Sequence, residues 1–327
     1  MKKKRILSGM RPTGRLHLGH LVGTLDNWVS LQQEYDCYFM VADWHALMSE
    51  YEEPSVINEY SIDNVVDWLA CGIDPKKSTV FVQSEVRAHL DLFMIFSCFV
   101  PLGWLERCPT YKEQLRQVET RDLNTYGFLG YPVLQAADIL AYKAEVVPVG
   151  EDQLPHLELT REIVRRFHTL YKTEVFPQPD ALLTKVARLV GVDGRKMSKS
   201  YNNTINLSDT EEEIYRKVSV MITDPQRIKR TDKGHPEVCN VFSYYTIFAQ
   251  DRQKQIAESC QSADIGCIDC KKMLADRIIE RLKPIWIRRR QFLNQQEEIK
   301  LILKEGRQRA EAVAEKTLQE VRQAMKI

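Results

Sequence analysis

The chain has 327 residues, 44% of them hydrophobic, and a formal net charge of +1. That is apolar material for a sizeable core, and the length exceeds one small domain. The near-balanced charge excludes a global electrostatic field, so any nucleic-acid contact must be a local patch. After the basic Met1-Lys2-Lys3-Lys4-Arg5, only Ile6 and Leu7 precede Ser8, too little for a secretory leader, and no apolar run approaches a membrane span. A cytoplasmic protein without membrane contact is expected.

Residues 5–10 read as a first strand, followed by the turn Arg11-Pro12-Thr13-Gly14. Leu21, Leu25, Trp28 and Leu31 fall at helical spacing and predict a helix over 21–35, with His17-Leu18-Gly19-His20 on its first turn. A helix start offers unpaired N–H groups and a positive dipole end, which suit phosphate. Gly19 leaves the backbone open to a flat ligand, and His17 and His20 add two donors. Residues 37–43 and 78–84 are apolar runs of the kind buried on both faces of a sheet, each followed by a predicted helix, over 55–70 and 88–99. The alternation predicts an α/β fold with a doubly wound, parallel, Rossmann-like sheet, whose ligands bind at the carboxyl ends of the strands. Arg11 to His20 and Asp43-Trp44-His45 then share one rim, where His45 either lines a pocket or is a satisfied core histidine.

Residues 107–126, with Lys112, Arg116 and Arg121, are polar and read either as a helical hairpin or as an exposed loop. Residues 128–140 are apolar except for Asp138, and an acid on such a face is costly unless something pairs with it. It is either bonded to a neighbour or held as an acceptor for a donor on a ligand. A fourth strand over 145–150 ends at Gly150, and Glu151-Asp152-Gln153 opens a helix over 154–167, a second junction suited to a ribose or phosphate.

Farther on, Gly194 lets Arg195-Lys196-Met197-Ser198-Lys199-Ser200 bend, and its two lysines suit a clamp on a departing polyphosphate. Beyond it the chain reads as helical, giving three parts: a catalytic domain over 1–200, an all-helical domain over 201–290, and C-terminal helices over 291–327 that fold back as an amphipathic pair. Basic groups at Arg227, Lys229, Arg230 and Lys233, at Lys271 and Lys272, and at Arg288 to Arg290 are candidate RNA-backbone contacts. Of eight cysteines, Cys37, Cys71, Cys98 and Cys108 are scattered in apolar surroundings, whereas Cys239, Cys260, Cys267 and Cys270 cluster. Four gathered thiols in a reducing compartment favour a metal centre, and the spacing fits zinc or an iron–sulfur cluster.

His17-Leu18-Gly19-His20 together with Lys196 to Ser200 resembles the signature pair of class I aminoacyl-tRNA synthetases. Ser8 to Gly14, Tyr131-Pro132-Val133-Leu134-Gln135-Ala136-Ala137-Asp138, Val147 to Gln153 and His156 to Arg161 narrow the resemblance to the bacterial tryptophanyl-tRNA synthetases. That resemblance implies a homodimer that uses ATP and Mg2+ to form tryptophanyl-adenylate and then loads tRNA(Trp). It implies catalytic roles for His17, His20, Lys196 and Lys199. ATP contacts would come from Arg11, Pro12, Thr13, Gly19, His20, Gly150, Glu151, Asp152, Leu189, Lys196, Met197, Ser198, Lys199 and Ser200. Tyr131, Gln135 and Asp138 would hold L-tryptophan, with Asp138 accepting the indole N–H. Arg11 stands where many members carry glutamine and adds a charge beside the nucleotide. The four clustered cysteines resemble those of a subset with a 4Fe–4S cluster near the anticodon-binding surface, with zinc as the alternative.

A tyrosine-specific member shares the fold and both signatures. A small-molecule nucleotidylyltransferase would need neither the helical part nor the lysine loop, and a redox protein built on the cysteines would leave the rest of the chain unexplained.

Overall fold

Apolar runs too short for helices form the centre of the molecule. The computed structural model describes residues 3–109, 111–112, 122–183, 189–197 and 201–327. Strands β1 (Arg5–Met10), β2 (Asp36–Val41), β3 (Ser78–Val82), β4 (Val146–Val149) and β5 (Asp180–Leu183) make one parallel sheet in the order β3-β2-β1-β4-β5. Because successive side chains alternate, β2 sends Cys37, Phe39 and Val41 into one core and Tyr38 and Met40 into the other. The expected doubly wound architecture is present.

On the first face, the helical turn Leu18–His20, a π-helical segment Leu21–Leu25 and helix α1 (Asp26–Glu34) follow one another without a break. Trp28 of α1 stacks on Phe39 at 4.3 Å and meets the edge of Trp68 at 5.1 Å. Helix α2 (Asp43–Glu50) follows β2, so the strand expected over 37–43 stops at Val41 and His45 is helical. Helix α3 (Ser55–Cys71) also serves the first face, whereas α4 (Ala88–Ser97), α6 (Tyr126–Ala141) and α7 (Leu154–Tyr171) cover the second; the short α5 (Leu102–Glu106) lies between α4 and α6 in the chain. Strand β5 was not anticipated. It is four residues long, half exposed and led by Asp180, so it carries almost no hydrophobic signal.

Beyond residue 200 the described chain forms helices α8 (Glu211–Ser219), α9 (Asn240–Phe248), α10 (Gln253–Gln261), α11 (Cys267–Asn294) and α12 (Gln296–Met325). Tyr244, Ile278 and Ile285 belong to the same continuous core as Ile6 and Phe39, so the helical part is built onto the sheet. Arg289 of α11 pairs with Asp63 and Asp67 of α3, and Arg288 donates to the carbonyl of Ala70.

The expected C-terminal pair is instead the end of α11 and one long helix, α12, separated at Gln295. Helix α12 does pack back on the sheet. Ile299, Ile302 and Leu303 join the first core, and Ala310, Ala314, Leu318 and Val321 join the second. The helix therefore crosses the edge of the sheet at β3. Gly306 marks the crossing: a Cβ there would collide with the carbonyl oxygen of Val80.

In an open helix interior, replacing glycine with alanine stabilises by about 1 kcal/mol. For Gly306→Ala we expect the opposite sign, a loss of about 1–3 kcal/mol, because helix and strand must move apart. Urea unfolding monitored by circular dichroism reads this directly, and a gain in stability would refute the crossing contact.

Candidate active site

Gly14, with φ of +143°, turns the chain after β1 through a conformation that side-chain-bearing residues avoid. His17 then caps the helical turn: its Nδ1 accepts the Gly19 N–H at 3.1 Å, and its own N–H donates to Nδ1 of His20 at 3.2 Å. Both Nδ1 atoms act as acceptors, so each neutral ring carries its proton on Nε2 as a donor. The rings lie 3.9 Å apart. A Cβ on Gly19 would stand 2.9 Å from the His17 ring and 3.6 Å from the sulfur of Met197.

That last contact joins the two signature motifs. Residues 205–207 run antiparallel to this turn: Leu18 N–H donates to Ile205 O, and Leu207 N–H to Leu16 O, both at 2.9 Å. The lysine loop is held at its base. Val190 and Lys196 form an antiparallel bridge, Asp193 accepts from Asn203 at 2.7 Å, and Asn203 also donates to the carbonyl of Lys196 at 3.1 Å. Leu189 and Met197 are buried and Lys196 is exposed. Ser198, Lys199 and Ser200 lie outside the described residues, as do Arg116 and Arg121.

The pocket opens where the sheet parts. Strand β1 pairs with β2 along its whole length but registers with β4 only at Ile6 and Val146, and Pro148 of β4 has no N–H to donate. Between them lies a cavity of about 310 Å³, lined by Leu7, Ser8 and Gly9 on one side and Val147, Pro148 and Val149 on the other. Helix α6 contributes Phe128, Tyr131, Gln135 and Asp138, and α2 contributes His45 and Met48. Such a gap, at a switch in strand order, is the general ligand site of open α/β sheets.

Asp138 is 2% exposed and meets three donors. His45 Nε2 reaches Oδ2 at 2.8 Å, while Gln83 Nε2 and His89 Nδ1 reach Oδ1 at 2.8 and 2.7 Å. Burial works against its charge, but the hydrogen bonds from His45 and His89 outweigh it and hold the carboxyl below the usual carboxylate range. The first expectation for this acid is met, since it is bonded to neighbours, and it also lines the cavity.

Arg11 stands at the cavity mouth, solvent-exposed yet enclosed by protein that lowers its pKa against the pull of Glu50 and Tyr131; it remains a cation. Gly150 precedes the 3₁₀ turn Glu151–Gln153, where Glu151 and Asp152 face solvent and Gln153 reaches the cavity. Tyr131 bonds through its hydroxyl to His156 Nε2 at 2.8 Å, and His156 Nδ1 lies 3.5 Å from the sulfur of Cys108.

With this geometry in view, residues 1–283 match the family profile of class I tRNA synthetases for tryptophan and tyrosine. The chain belongs to that family. It is 53% identical to a tryptophan–tRNA ligase of Thermotoga maritima, over 99% of both chains. It is 44% identical to the corresponding ligase of Clostridium longisporum, covering 100% of this chain and 98% of that one. The solved tryptophanyl-tRNA synthetase of Campylobacter jejuni, complexed with ADP and tryptophan, superposes with a TM-score of 0.89 at 31% identity, covering 99% of this chain and 100% of that one.

Within this synthetase fold, sequence reasoning named Asp138 and His45 but not the other residues of their network. Gln83 and His89 follow β3, some fifty residues earlier, and Tyr142 is the residue just after the end of α6. The signal was the acid itself, since a buried carboxylate requires donors. Met48 and Phe128 on the cavity wall carried no signal apart from their hydrophobicity. Among the described residues no helix is long and apolar enough to cross a membrane.

Burial, and next the charge of His45, press the pKa of His156 from 6.5 to about 4. A histidine depressed in this way stays neutral in the folded chain while the unfolded chain takes up a proton. Its contribution is complete above pH 6.5, and about 3 kcal/mol is lost as pH falls to 4. Unfolding free energies measured across this window should show the slope, and His156→Asn should flatten it; an unchanged slope in the variant would exclude a buried neutral His156.

Proposed function

We infer that this chain is a tryptophan–tRNA ligase, which activates L-tryptophan with ATP to tryptophanyl-adenylate and transfers the aminoacyl group to the 3′ end of tRNA(Trp). The observation that carries the reading is the ionised acceptor Asp138 on the wall of a cavity that also presents Leu7, Met48, Phe128, Ile139 and Val147. The indole nitrogen is a donor only, so an acceptor is what its pocket needs. Near-complete coverage by tryptophan-specific relatives supports the same choice over tyrosine.

Tyr131 and Gln135 line the tryptophan pocket with Asp138. Arg11, Pro12, Thr13, Gly19 and His20 meet ATP, with Gly150, Glu151 and Asp152 on the ribose side and Leu189 near adenine. The tryptophan carboxylate attacks the α-phosphorus, and the protein contributes placement and charge stabilisation without a covalent enzyme intermediate. Negative charge grows on the departing pyrophosphate. The Nε2–H groups of His17 and His20 and the ammonium groups of Lys196 and Lys199 stabilise it, while Met197, Ser198 and Ser200 follow the phosphates. Mg2+, when bound with ATP, would neutralise part of the same charge. The family resemblance supports a homodimer in the cytoplasm.

Cys239, Cys260, Cys267 and Cys270 form the second element of the reading. All four are free thiols. Burial raises the Cys270 thiol to about 12, and beyond the opposing Tyr245 hydroxyl the three other cysteines push it further up. Cys260 is also raised by burial, against Arg227, with Cys239 and Cys267 adding to the rise. A side chain at Gly234 would fill the space beside the Cys260 sulfur. Among the described residues, no group of three or more His, Cys, Asp or Glu is arranged so as to hold a metal ion. Four soft donors in one neighbourhood are the ligand type that a 4Fe–4S cluster takes, with zinc as the alternative. Its place beside Lys271 and Lys272 gives it a structural or anticodon-side role, apart from the activation chemistry.

Two measurements test these assignments. Asp138→Asn keeps the shape but replaces an acceptor oxygen by a donor; in ATP–pyrophosphate exchange it should lower the preference for tryptophan over tyrosine and phenylalanine by about tenfold or more. Unchanged selectivity would remove Asp138 from substrate recognition. For the cysteines, protein purified without oxygen should contain iron and acid-labile sulfide with visible absorption. A colourless protein carrying zinc would favour the plain structural site instead.

A further inference from the structure

Two polar residues behind the cavity take no part in the reading above, although both are fully buried: His89 and Tyr142. His89 Nδ1 lies 2.7 Å from Asp138 Oδ1, and its Nε2 lies 2.7 Å from the Tyr142 hydroxyl. Because Asp138 is ionised it only accepts, so His89 must present a proton on Nδ1. A neutral imidazole has one proton to place. The Tyr142 hydroxyl, donating to Nε2, occupies that nitrogen's lone pair and leaves Nδ1 as the protonated position. Gln83 acts beside it: its Oε1 accepts the Trp44 N–H at 3.2 Å, which fixes the amide so that Nε2 donates to the same carboxylate oxygen.

Oδ1 thus receives two fixed donors and Oδ2 only one, from His45 on the cavity wall. A carboxylate oxygen accepts more than one hydrogen bond, so Oδ2 keeps capacity for a ligand N–H. We propose that Tyr142 and His89 are positioning residues for tryptophan recognition: the tyrosine hydroxyl sets the histidine tautomer, and the histidine locks Asp138 with Oδ2 presented to the indole. This rests on the reading of Asp138 as the indole acceptor. Without the hydroxyl, His89 can move its proton to Nε2 and turn a bare nitrogen toward the carboxylate, which then loses its fixed orientation.

Tyr142→Phe removes only the hydroxyl, and the ring keeps its contacts with Tyr38 and Phe81. The readout is the ratio of kcat/KM for tryptophan to that for its benzothiophene isostere, which lacks the N–H, measured by ATP–pyrophosphate exchange. We expect the ratio to fall about tenfold, with the KM for ATP unchanged. A variant that was merely looser would lose both substrates together and keep the ratio. Adding His89→Asn, whose amide nitrogen stands at the Nδ1 position and has no tautomer to choose, should restore most of the ratio. An unaltered ratio in Tyr142→Phe overturns the proposal, as does a loss that His89→Asn does not repair. If the unsubstituted enzyme itself shows no preference for the N–H substrate, the assignment of Asp138 fails first, and the proposal falls with it.

Discussion

A parallel sheet binds ligands only where its layer of hydrogen bonds opens, and in this chain the opening has a local cause. Strands β1 and β4 meet at one registered residue pair, beyond which Pro148 cannot donate. The cavity lies between them, and the turn carrying His17 and His20 leaves the end of β1. Helix α6, which fills the space behind the gap, is apolar along most of its length because it faces the second core. Asp138 interrupts that apolar helix at the level of the cavity. Had β1 and β4 paired along their whole length, Ser8 and Gly9 would face a closed sheet.

Buried charge is handled in two ways in this molecule. Asp138 is surrounded by fixed donors and stays ionised, which suits a group that must accept. Asp67, on α3, faces Arg289, yet burial raises it to about 7 against the arginine's pull, and one of its oxygens has no partner among the described residues. Asn64 and Trp68 nearby also have buried polar atoms without partners among the described residues. The Asp67–Arg289 pair therefore adds little to the α3–α11 contact, in keeping with the low net worth of buried ion pairs. The well-satisfied acid lies at the cavity and the poorly satisfied one at a helix junction.

Much of this was legible from the chain itself. The two signature motifs, the strand–helix alternation and the need of Asp138 for partners all depend on residue type and spacing, which a sequence displays. What it did not display depends on contacts between distant segments. Gln83, His89 and Tyr142 look like ordinary residues until folding places them around one carboxylate. Met197 reads as a loop residue, but its side chain is buried beside Gly19. Strand β5 has too little apolar surface to announce itself, and its pairing comes from β4. The tail reads as a helix pair, whereas one stripe along α12, from Ile299 and Leu303 through Gly306 to Ala310, Ala314 and Val321, serves both cores by passing over the sheet edge.

That crossing bears on how the protein is made. Strand β3 is an edge of the sheet, and its backbone groups remain open until α12 lies across them at Gly306. More than two hundred residues separate the two in synthesis. A growing chain can form β1, β2 and β3 early, but it carries an uncovered strand edge and two unfinished cores until α12 has left the ribosome. Open edges recruit other strands, so this interval favours association with neighbouring nascent chains or capture by a chaperone. At the translation rates of cells the exposure lasts on the order of tens of seconds. The same helix that completes both cores also ends this interval.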